Sequence, residues 1–70
     1  NKMVNVTIMN ETGHTEMESV SVDETIEVIN NHPTHWLFVD GAAVQRSAVN
    51  TINWESVNEV TLSPAIVGGE

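Results

Sequence analysis

The amino-acid sequence predicts a small α+β domain in which one short helix covers a mixed sheet of four to five strands. The first observation is an alternation of apolar and polar residues near both ends of the chain, at positions 3–9 and 58–63. Side chains on a strand point alternately to the two faces of a sheet, so this pattern is typical of half-buried strands. A helix-start signal and a hairpin signal between these stretches supply the remaining elements.

The N-terminal alternation predicts a β-hairpin. The apolar positions of its first strand are Val4, Val6 and Ile8. Residues 10–13 provide turn chemistry, and Gly13 can adopt the positive φ that tight turns require. Residues 17–22 then return as a second strand of the same type, with Val20 and Val22 on its apolar side.

A helix is expected after this hairpin. Ser21 and Glu24 have the spacing of a capping box, and Asp23 is itself a favourable N-cap residue. The helix would therefore begin near Glu24. Pro33 limits its length, because proline lacks the backbone N–H that a helix interior needs.

Residues 25–30 leave a second interpretation open. A helix would bury Ile26 and Ile29, with Val28 as a further candidate. A strand would instead point Ile26 and Val28 inward, and so short an apolar pattern does not exclude it. These residues alone do not decide between the two interpretations, and the resemblance described below favours the helix.

The clearest hairpin signal lies in the middle of the chain. Residues 36–39 form a short apolar run followed by Asp40 and Gly41, a pair typical of two-residue hairpin turns. Residues 42–44 would return as a short strand. The connection from there to the final strand is expected to contain a helical turn near Trp54, whose ring would close one end of the core.

The first strand of this hairpin carries two alternating pairs of side chains. Trp36 and Phe38 lie on one face, whereas Leu37 and Val39 lie on the other. Only one pair can face the helix. If the other pair is exposed, it forms an apolar patch of the kind that marks a protein interface. In the alternative interpretation, Trp36 lies at the strand edge under a loop.

Composition limits the function further. Ten acidic residues and two basic ones, Lys2 and Arg46, give a net charge of −8, which argues against direct binding to nucleic-acid phosphates. A basic protein partner is favoured, although solubility alone explains the charge equally well. No stretch reaches the ~18 apolar residues of a membrane span and no leader is visible, so a cytoplasmic location without membrane contact is expected. Met3 resembles a natural start, which would make residues 1–2 an added extension.

No catalytic or metal-binding constellation is visible, and the protein is predicted not to be an enzyme. The 70 residues contain no Cys and no Ser on a recognisable nucleophile elbow. His32 and His35 supply only two metal ligands, and both are expected to face solvent. Three glutamates are expected to form a solvated face; they are Glu24, Glu27 and Glu55.

The C-terminal residues favour a segment that binds a partner. Pro64 cannot donate to a continuing ladder, so the chain is expected to leave the sheet there as an extended tail. Ile66 and Val67 keep this tail apolar. Gly68 and Gly69 have no Cβ, which leaves the backbone thin enough to pass through a narrow enzyme cleft.

These features resemble the ubiquitin-like β-grasp family, and most closely the small sulfur carriers of thiamine and molybdopterin synthesis. The predicted order of two strands, a helix, a strand, a short strand and a final strand is the β-grasp order. The likeness is carried by VDETIEVI, by LFVDGAAVQRS with its Arg46, and by the final strand with Pro64 and the glycine pair. The resemblance implies one β-grasp domain over residues 3–69, whose extended tail occupies residues 64–70.

The function that the resemblance implies is that of a carrier and substrate. In the sulfur carriers, an adenylating enzyme uses ATP to activate the C-terminal Gly carboxylate, and sulfur then displaces AMP to give a thiocarboxylate. For this chain the activated residue would be Gly69, no cofactor would be bound by the chain itself, and the sheet face opposite the helix would dock the enzyme. Glu70 departs from the pattern, so a processing peptidase would have to remove it. Protein tagging is the related alternative, and it is less favoured because Lys2 is the only lysine.

Two other classes of function stay open. One is a non-catalytic acidic binding module or inhibitor, including a nucleic-acid mimic, although the acids run from Glu11 to Glu70 rather than in one cluster. The other is a structural subunit or a domain of a larger protein, in which the glycine pair would be a linker.

Overall fold

The computed structural model describes residues 2–64 of the chain. Within this range the chain forms five strands, one α-helix and two short 3₁₀ helices. The strands are β1 (Met3–Asn10), β2 (Gly13–Ser21), β3 (His35–Val39), β4 (Ala42–Val44) and β5 (Glu59–Pro64). Helix α1 spans Val22–Asn30, and the 3₁₀ helices span Arg46–Thr51 and Trp54–Ser56.

The strands form one mixed sheet in the order β2-β1-β5-β3-β4. Strand β5 lies in the middle, parallel to β1 and antiparallel to β3, and helix α1 packs against one face. The protein is thus a small α+β domain with a five-stranded mixed sheet, and this arrangement is compatible with a β-grasp. No helix among residues 2–64 is long and apolar enough to cross a membrane.

The face of the sheet under α1, the covered face, holds the core. Its most buried strand residues are Val4, Val6, Leu37, Val60 and Leu62. Ile29 from the helix and Val49 and Val57 from the connection before β5 complete the cluster. Trp54 packs against this cluster as predicted, and its indole N–H donates to the carbonyl of Val49 at 3.3 Å.

The N-terminal hairpin is confirmed, but its second strand differs from the prediction in extent. Strand β2 begins at Gly13, directly after the turn, because β1 and β2 pair from Asn10 and Gly13 onward. Val22 is the first residue of α1 rather than the last residue of the strand. The alternation from Val20 to Val22 therefore crosses the boundary between two elements.

A β-bulge in β2 was not predicted. Val4 pairs with Val20 and Val6 with Met17, so β2 contains one more residue than β1 across this interval. The bulge places Ser19 at φ 58° and directs its N–H to Oδ1 of Asn5 at 3.1 Å. Met17 and Val20 both pack with the core, although strict alternation would send residues three apart to opposite faces.

Helix α1 is confirmed, and the strand interpretation of residues 25–30 is wrong. Ser21 is the N-cap, and its Oγ accepts a hydrogen bond from the N–H of Glu24 at 3.1 Å, as the capping-box spacing predicts. Asp23 lies in the first turn of the helix and not at the cap. The helix therefore begins two residues earlier than Glu24.

The buried stripe of α1 also differs from the prediction. Ile29 is buried as expected, whereas Ile26 and Val28 are only half-buried. Thr25 takes the second buried position with no exposed surface, because its Oγ1 donates to the carbonyl of Ser21 at 2.8 Å. This bond satisfies the hydroxyl, so burial of the polar side chain costs little.

The hairpin turn between β3 and β4 is formed by the predicted pair. Asp40 and Gly41 have φ values of 50° and 87°, which an Asp–Gly pair accommodates readily. The carboxylate of Asp40 accepts bonds from the N–H groups of Asn58 at 3.1 Å and Glu59 at 2.9 Å. The turn therefore holds the start of β5 in place.

Candidate docking face beside the central strand

The sheet face opposite α1, the open face, carries an exposed aromatic residue. Leu37 and Val39 point to the covered face, so Trp36 and Phe38 lie on the open face. Trp36 is 56% exposed and Phe38 is half-buried. No loop among the described residues covers Trp36, and the interpretation that placed it under a loop is wrong for this part of the chain.

A shallow groove runs along these aromatic side chains. It is lined by Trp36, Phe38, Ser63 and Pro64 and has a volume of about 330 Å³. The groove forms because β5 places small side chains beside large ones: Ser63 pairs with Trp36, and Thr61 pairs with Phe38. We call this the Phe38 groove.

The structure brings together three of the predicted partner-binding residues, namely Trp36, Phe38 and Pro64. Pro64, which was predicted to begin the tail, is the last residue of β5 and pairs with His35. The other predicted site residues lie outside the described range; they are Ile66, Val67, Gly68, Gly69 and the processing residue Glu70.

Pro64 can pair with His35 because no backbone carbonyl of β3 needs an N–H from residue 64. The N–H of His35 donates to the carbonyl of His32 at 3.1 Å, and the carbonyl of His35 accepts from the Arg46 guanidinium. Both backbone groups of His35 are thus satisfied on the side away from β5. Proline is tolerated at such a position, since its missing N–H leaves no partner unsatisfied.

Two methionines extend the apolar character of the open face. Met3 and Met9 are 49% and 43% exposed, and they alternate along β1 with the buried Val4 and Val6. Together with Trp36 they are the large hydrophobic side chains that the described residues expose. The alternation along β1 assigns both methionines to the open face with Trp36, although Met3, at the start of the strand, also borders Val22 and Trp54. Exposed apolar side chains that share one face are typical of a protein interaction surface.

Arg46 has a structural role that the sequence did not reveal. Its guanidinium donates to the carbonyls of Ile29 and His35, each at 2.7 Å, and also to the carbonyl of His32. The last turn of α1 has no basic residue, so Arg46 supplies the positive charge that favours a helix C-terminus. The sequence contains one sign of this role: the last turn of α1 contains no basic residue, so a residue from elsewhere in the chain has to supply the charge.

The positions of the two histidines near Arg46 differ from the prediction. His32 and His35 were expected to face solvent, but both are half-buried, with their rings edge to face at 5.0 Å. Nδ1 of His32 is hydrogen-bonded to the carbonyl of Val28 at 2.8 Å. Nδ1 of His35 is buried and has no partner among the described residues. Within residues 2–64, no group of three or more His, Cys, Asp or Glu side chains could hold a metal ion.

The acidic side chains that the structure describes are all exposed but unevenly distributed. Nine of the ten acids lie in the described range, since only Glu70 falls outside it. Glu24, Glu27 and Glu55 are exposed, as predicted for a solvated face. Between residues 28 and 54, however, the only acid in the sequence is Asp40. The part of the domain built from β3, β4 and the first 3₁₀ helix is therefore nearly free of negative charge.

No family model, characterised protein or solved structure matches this chain. The resemblance to sulfur carriers stays a prediction. Function must be argued from the order of the strands and from the open face.

Proposed function

We propose that the protein is a ubiquitin-like β-grasp carrier whose C-terminal glycine carboxylate is activated by an ATP-dependent adenylating enzyme. In this proposal the open face docks the enzyme, and a peptidase first removes Glu70 so that Gly69 becomes the terminus. One observation supports it most: the central strand β5 ends at Pro64, directly beside the exposed Trp36.

The position of β5 suits a carrier. The strand lies between β1 and β3, and its side chains Val60 and Leu62 have no exposed surface. Residues that follow Pro64 are thus attached to the most firmly held strand of the sheet. An enzyme that docks on Trp36 and Phe38 would find the chain entering its active site from a fixed point.

The chemistry assigns the protein the role of substrate. A free carboxylate is a poor electrophile, so the enzyme first joins it to AMP from ATP and releases pyrophosphate. A sulfur nucleophile then attacks the acyl carbon, the bond to AMP breaks, and a thiocarboxylate results. ATP is bound by the enzyme and not by this chain. Gly68 and Gly69 suit this step because they add no side chain to the segment that enters the cleft.

Sulfur carriage is preferred over protein tagging within this proposal. Lys2 is the only lysine of the chain, so chains linked through the protein's own lysines have almost no acceptor. A single-copy modifier is the related possibility. The two differ in product, because a carrier ends in a thiocarboxylate whereas a modifier forms an amide with another protein.

Intact mass of the natural protein, isolated from its own cells, tests this function. We expect a chain that ends at Gly69, with a fraction heavier by roughly 16 Da from exchange of oxygen for sulfur, or covalently joined to another protein. Trp36→Ala should reduce that activated fraction, whereas Glu27→Ala, at an exposed position of α1 on the other side of the sheet, should leave it unchanged. A chain that keeps Glu70 or continues beyond it, with no activated form, would contradict the proposal.

A second candidate is a non-catalytic acidic binding module or inhibitor. It is favoured by the exposure of all nine described acids, six of which precede residue 28. A basic partner held by this surface should bind much more weakly when salt rises from about 50 to about 300 mM, because exposed charges are screened over a shorter distance. Binding that survives high salt would favour the apolar open face instead.

A further inference from the structure

A second groove lies on the other side of Trp36. It has a volume of about 510 Å³, and its lining includes His35, Trp36, Gln45 and Arg46. Trp36 also lines the Phe38 groove, so the two grooves lie next to each other. We call the second one the Arg46 groove.

The Arg46 groove is open because β4 is shorter than β3. Strand β4 pairs only with residues 37–39 of β3, which leaves His35 and Trp36 without a strand neighbour on that side. Arg46 follows β4 at the start of the 3₁₀ helix and reaches back to the carbonyl of His35. The side chain of Arg46 thus closes the gap between the strands and is held there by three backbone carbonyls.

Some hydrogen-bonding groups of the residues that line this groove have no partner among the described residues. A guanidinium carries five N–H donors, and Arg46 makes three hydrogen bonds within the described residues. Nδ1 of His35 is buried and lacks a partner in the same range. Two N–H donors of the Arg46 guanidinium are therefore left for an oxygen-bearing ligand at this groove, whereas the buried nitrogen of His35 is not accessible to one.

The local charge favours an anion even though the chain is strongly acidic. Among the described residues, no Asp or Glu lines either groove. Asp40 is the single acid between residues 28 and 54, and its carboxylate is occupied by the backbone N–H groups of Asn58 and Glu59. Exposed acids farther away than a Debye length of about 8–10 Å are largely screened at physiological salt. A carboxylate that contacts Arg46 directly gains charge-assisted hydrogen bonds at short range.

We infer that the protein segment that docks over Trp36 carries a carboxylate side chain next to an apolar one. The apolar side chain fills the Phe38 groove, and the carboxylate binds Arg46 on the other side of Trp36. This inference rests on the proposed docking role of the open face and names the chemistry of the partner. The net charge of the chain favours a basic partner, and this inference differs from that expectation. A basic partner would meet no acidic side chain among the described residues that line either groove.

Three capped dipeptides test the inference on the purified protein: acetyl-Leu-Glu-amide, acetyl-Leu-Gln-amide and acetyl-Leu-Lys-amide. Binding is followed by NMR, through the indole N–H of Trp36 and the backbone amides of residues 34–46, with the indole of Trp54 as an internal reference. We expect the Glu peptide to bind about tenfold more tightly than its neutral Gln counterpart, which corresponds to about 1.4 kcal/mol. The Lys peptide should bind most weakly.

A matched pair of variants localises the effect. Gln45→Glu adds a negative charge at the Arg46 groove and should abolish the preference for the Glu peptide. Asn50→Asp adds the same charge at an exposed position that does not line the groove, and it should preserve the preference. These exposed positions avoid Arg46 itself, whose replacement could unfold the domain.

Three outcomes overturn the inference. Equal affinity for the Glu and Gln peptides would show that the grooves do not distinguish a charged ligand from a neutral one. An equal loss of preference in both variants would show a general effect of net charge, and no binding by any peptide would exclude recognition at these grooves. The state of the C-terminal carboxylate is read separately from the intact mass, so failure here and failure of tail activation are distinguishable.

Discussion

Leu62 on the covered face has no exposed surface, whereas Trp36, paired with the next residue of β5, is 56% exposed on the open face. Both faces arise from the same alternation of side chains along the strands. They differ because helix α1 and the connection before β5 cover only one of them. The covered face therefore supplies stability, whereas the open face carries the exposed apolar area on which the proposed docking depends.

Leu62→Ala should therefore have the largest effect on stability. Removing a fully buried side chain from a core costs about 3–4 kcal/mol, which approaches the total stability expected for a domain of this size. Trp36→Ala removes a larger side chain but should cost less, about 1–2 kcal/mol, because more than half of the Trp36 surface stays in contact with water after folding. Urea denaturation followed by circular dichroism measures both values.

A similar loss in both variants would contradict the division between the two faces. Thr61→Ala serves as a second control, since Thr61 lies on β5 beside Leu62 but points to the open face. We expect its effect to be within about 0.5 kcal/mol.

Arg46 joins the end of α1 to the start of β3, and Arg46→Met should have the second largest effect. Met keeps the apolar stem but removes the three bonds that join α1, the loop after it and β3. Because hydrogen bonds to charged groups contribute about 1.5–3 kcal/mol and water can replace part of them here, we expect a loss of about 2–3 kcal/mol in urea denaturation.

The matched control for this prediction is Lys2→Met, which removes the same charge from the other basic residue. Equal destabilisation by the two substitutions would show that net charge, rather than the three carbonyl contacts, explains the effect. A smaller loss for Arg46→Lys than for Arg46→Met would indicate that a positive charge alone supplies part of the contact.

Local sequence signals predicted much of the fold. The Ser21 cap, the Asp40 and Gly41 turn and the alternation of residues 3–9 each depend on neighbours a few positions apart. These signals indicate where the strands and the helix begin, and the order of strands and helix along the chain follows from them.

The features that the sequence did not reveal depend on long-range contacts. Arg46 meets carbonyls 11 to 17 residues earlier in the chain, and Asn5 meets Ser19 across the hairpin. Thr25 was missed because a hydroxyl that bonds within its own helix turn can be buried like an apolar group. The candidate site was half predictable: alternation placed Trp36 and Phe38 on one face, but the Arg46 groove follows from the different lengths of β3 and β4.

Helix α1, which covers one face of the sheet, is expected to depend on its N-cap Ser21 for stability. Ser21→Ala removes the Oγ that accepts the N–H of Glu24, and we expect a loss of about 1 kcal/mol. Ser47→Ala is the matched control, because the Ser47 hydroxyl makes only a 3.5 Å contact with Gln45. Thermal and urea denaturation of both variants give the comparison. If Ser47→Ala lowers the stability as much as Ser21→Ala does, the N-cap is not what stabilises α1 on the covered face.

The smallest expected effect is a gain, at the bulge that keeps β2 aligned with the covered face. Ser19 has φ 58°, a conformation that costs an L-residue about 1–2 kcal/mol and that glycine adopts freely. Because glycine also makes the unfolded chain more flexible, Ser19→Gly should raise stability by only about 0.5 kcal/mol, seen as a higher urea midpoint at unchanged slope.

Ser19→Val tests the same point in the opposite direction. A β-branched side chain is strongly disfavoured at positive φ, so this variant should lose about 1–2 kcal/mol although valine is otherwise a good strand residue. If Ser19→Val were the more stable variant, the positive φ at residue 19 would not disfavour a β-branched side chain, and the gain expected from Ser19→Gly would lose its physical basis.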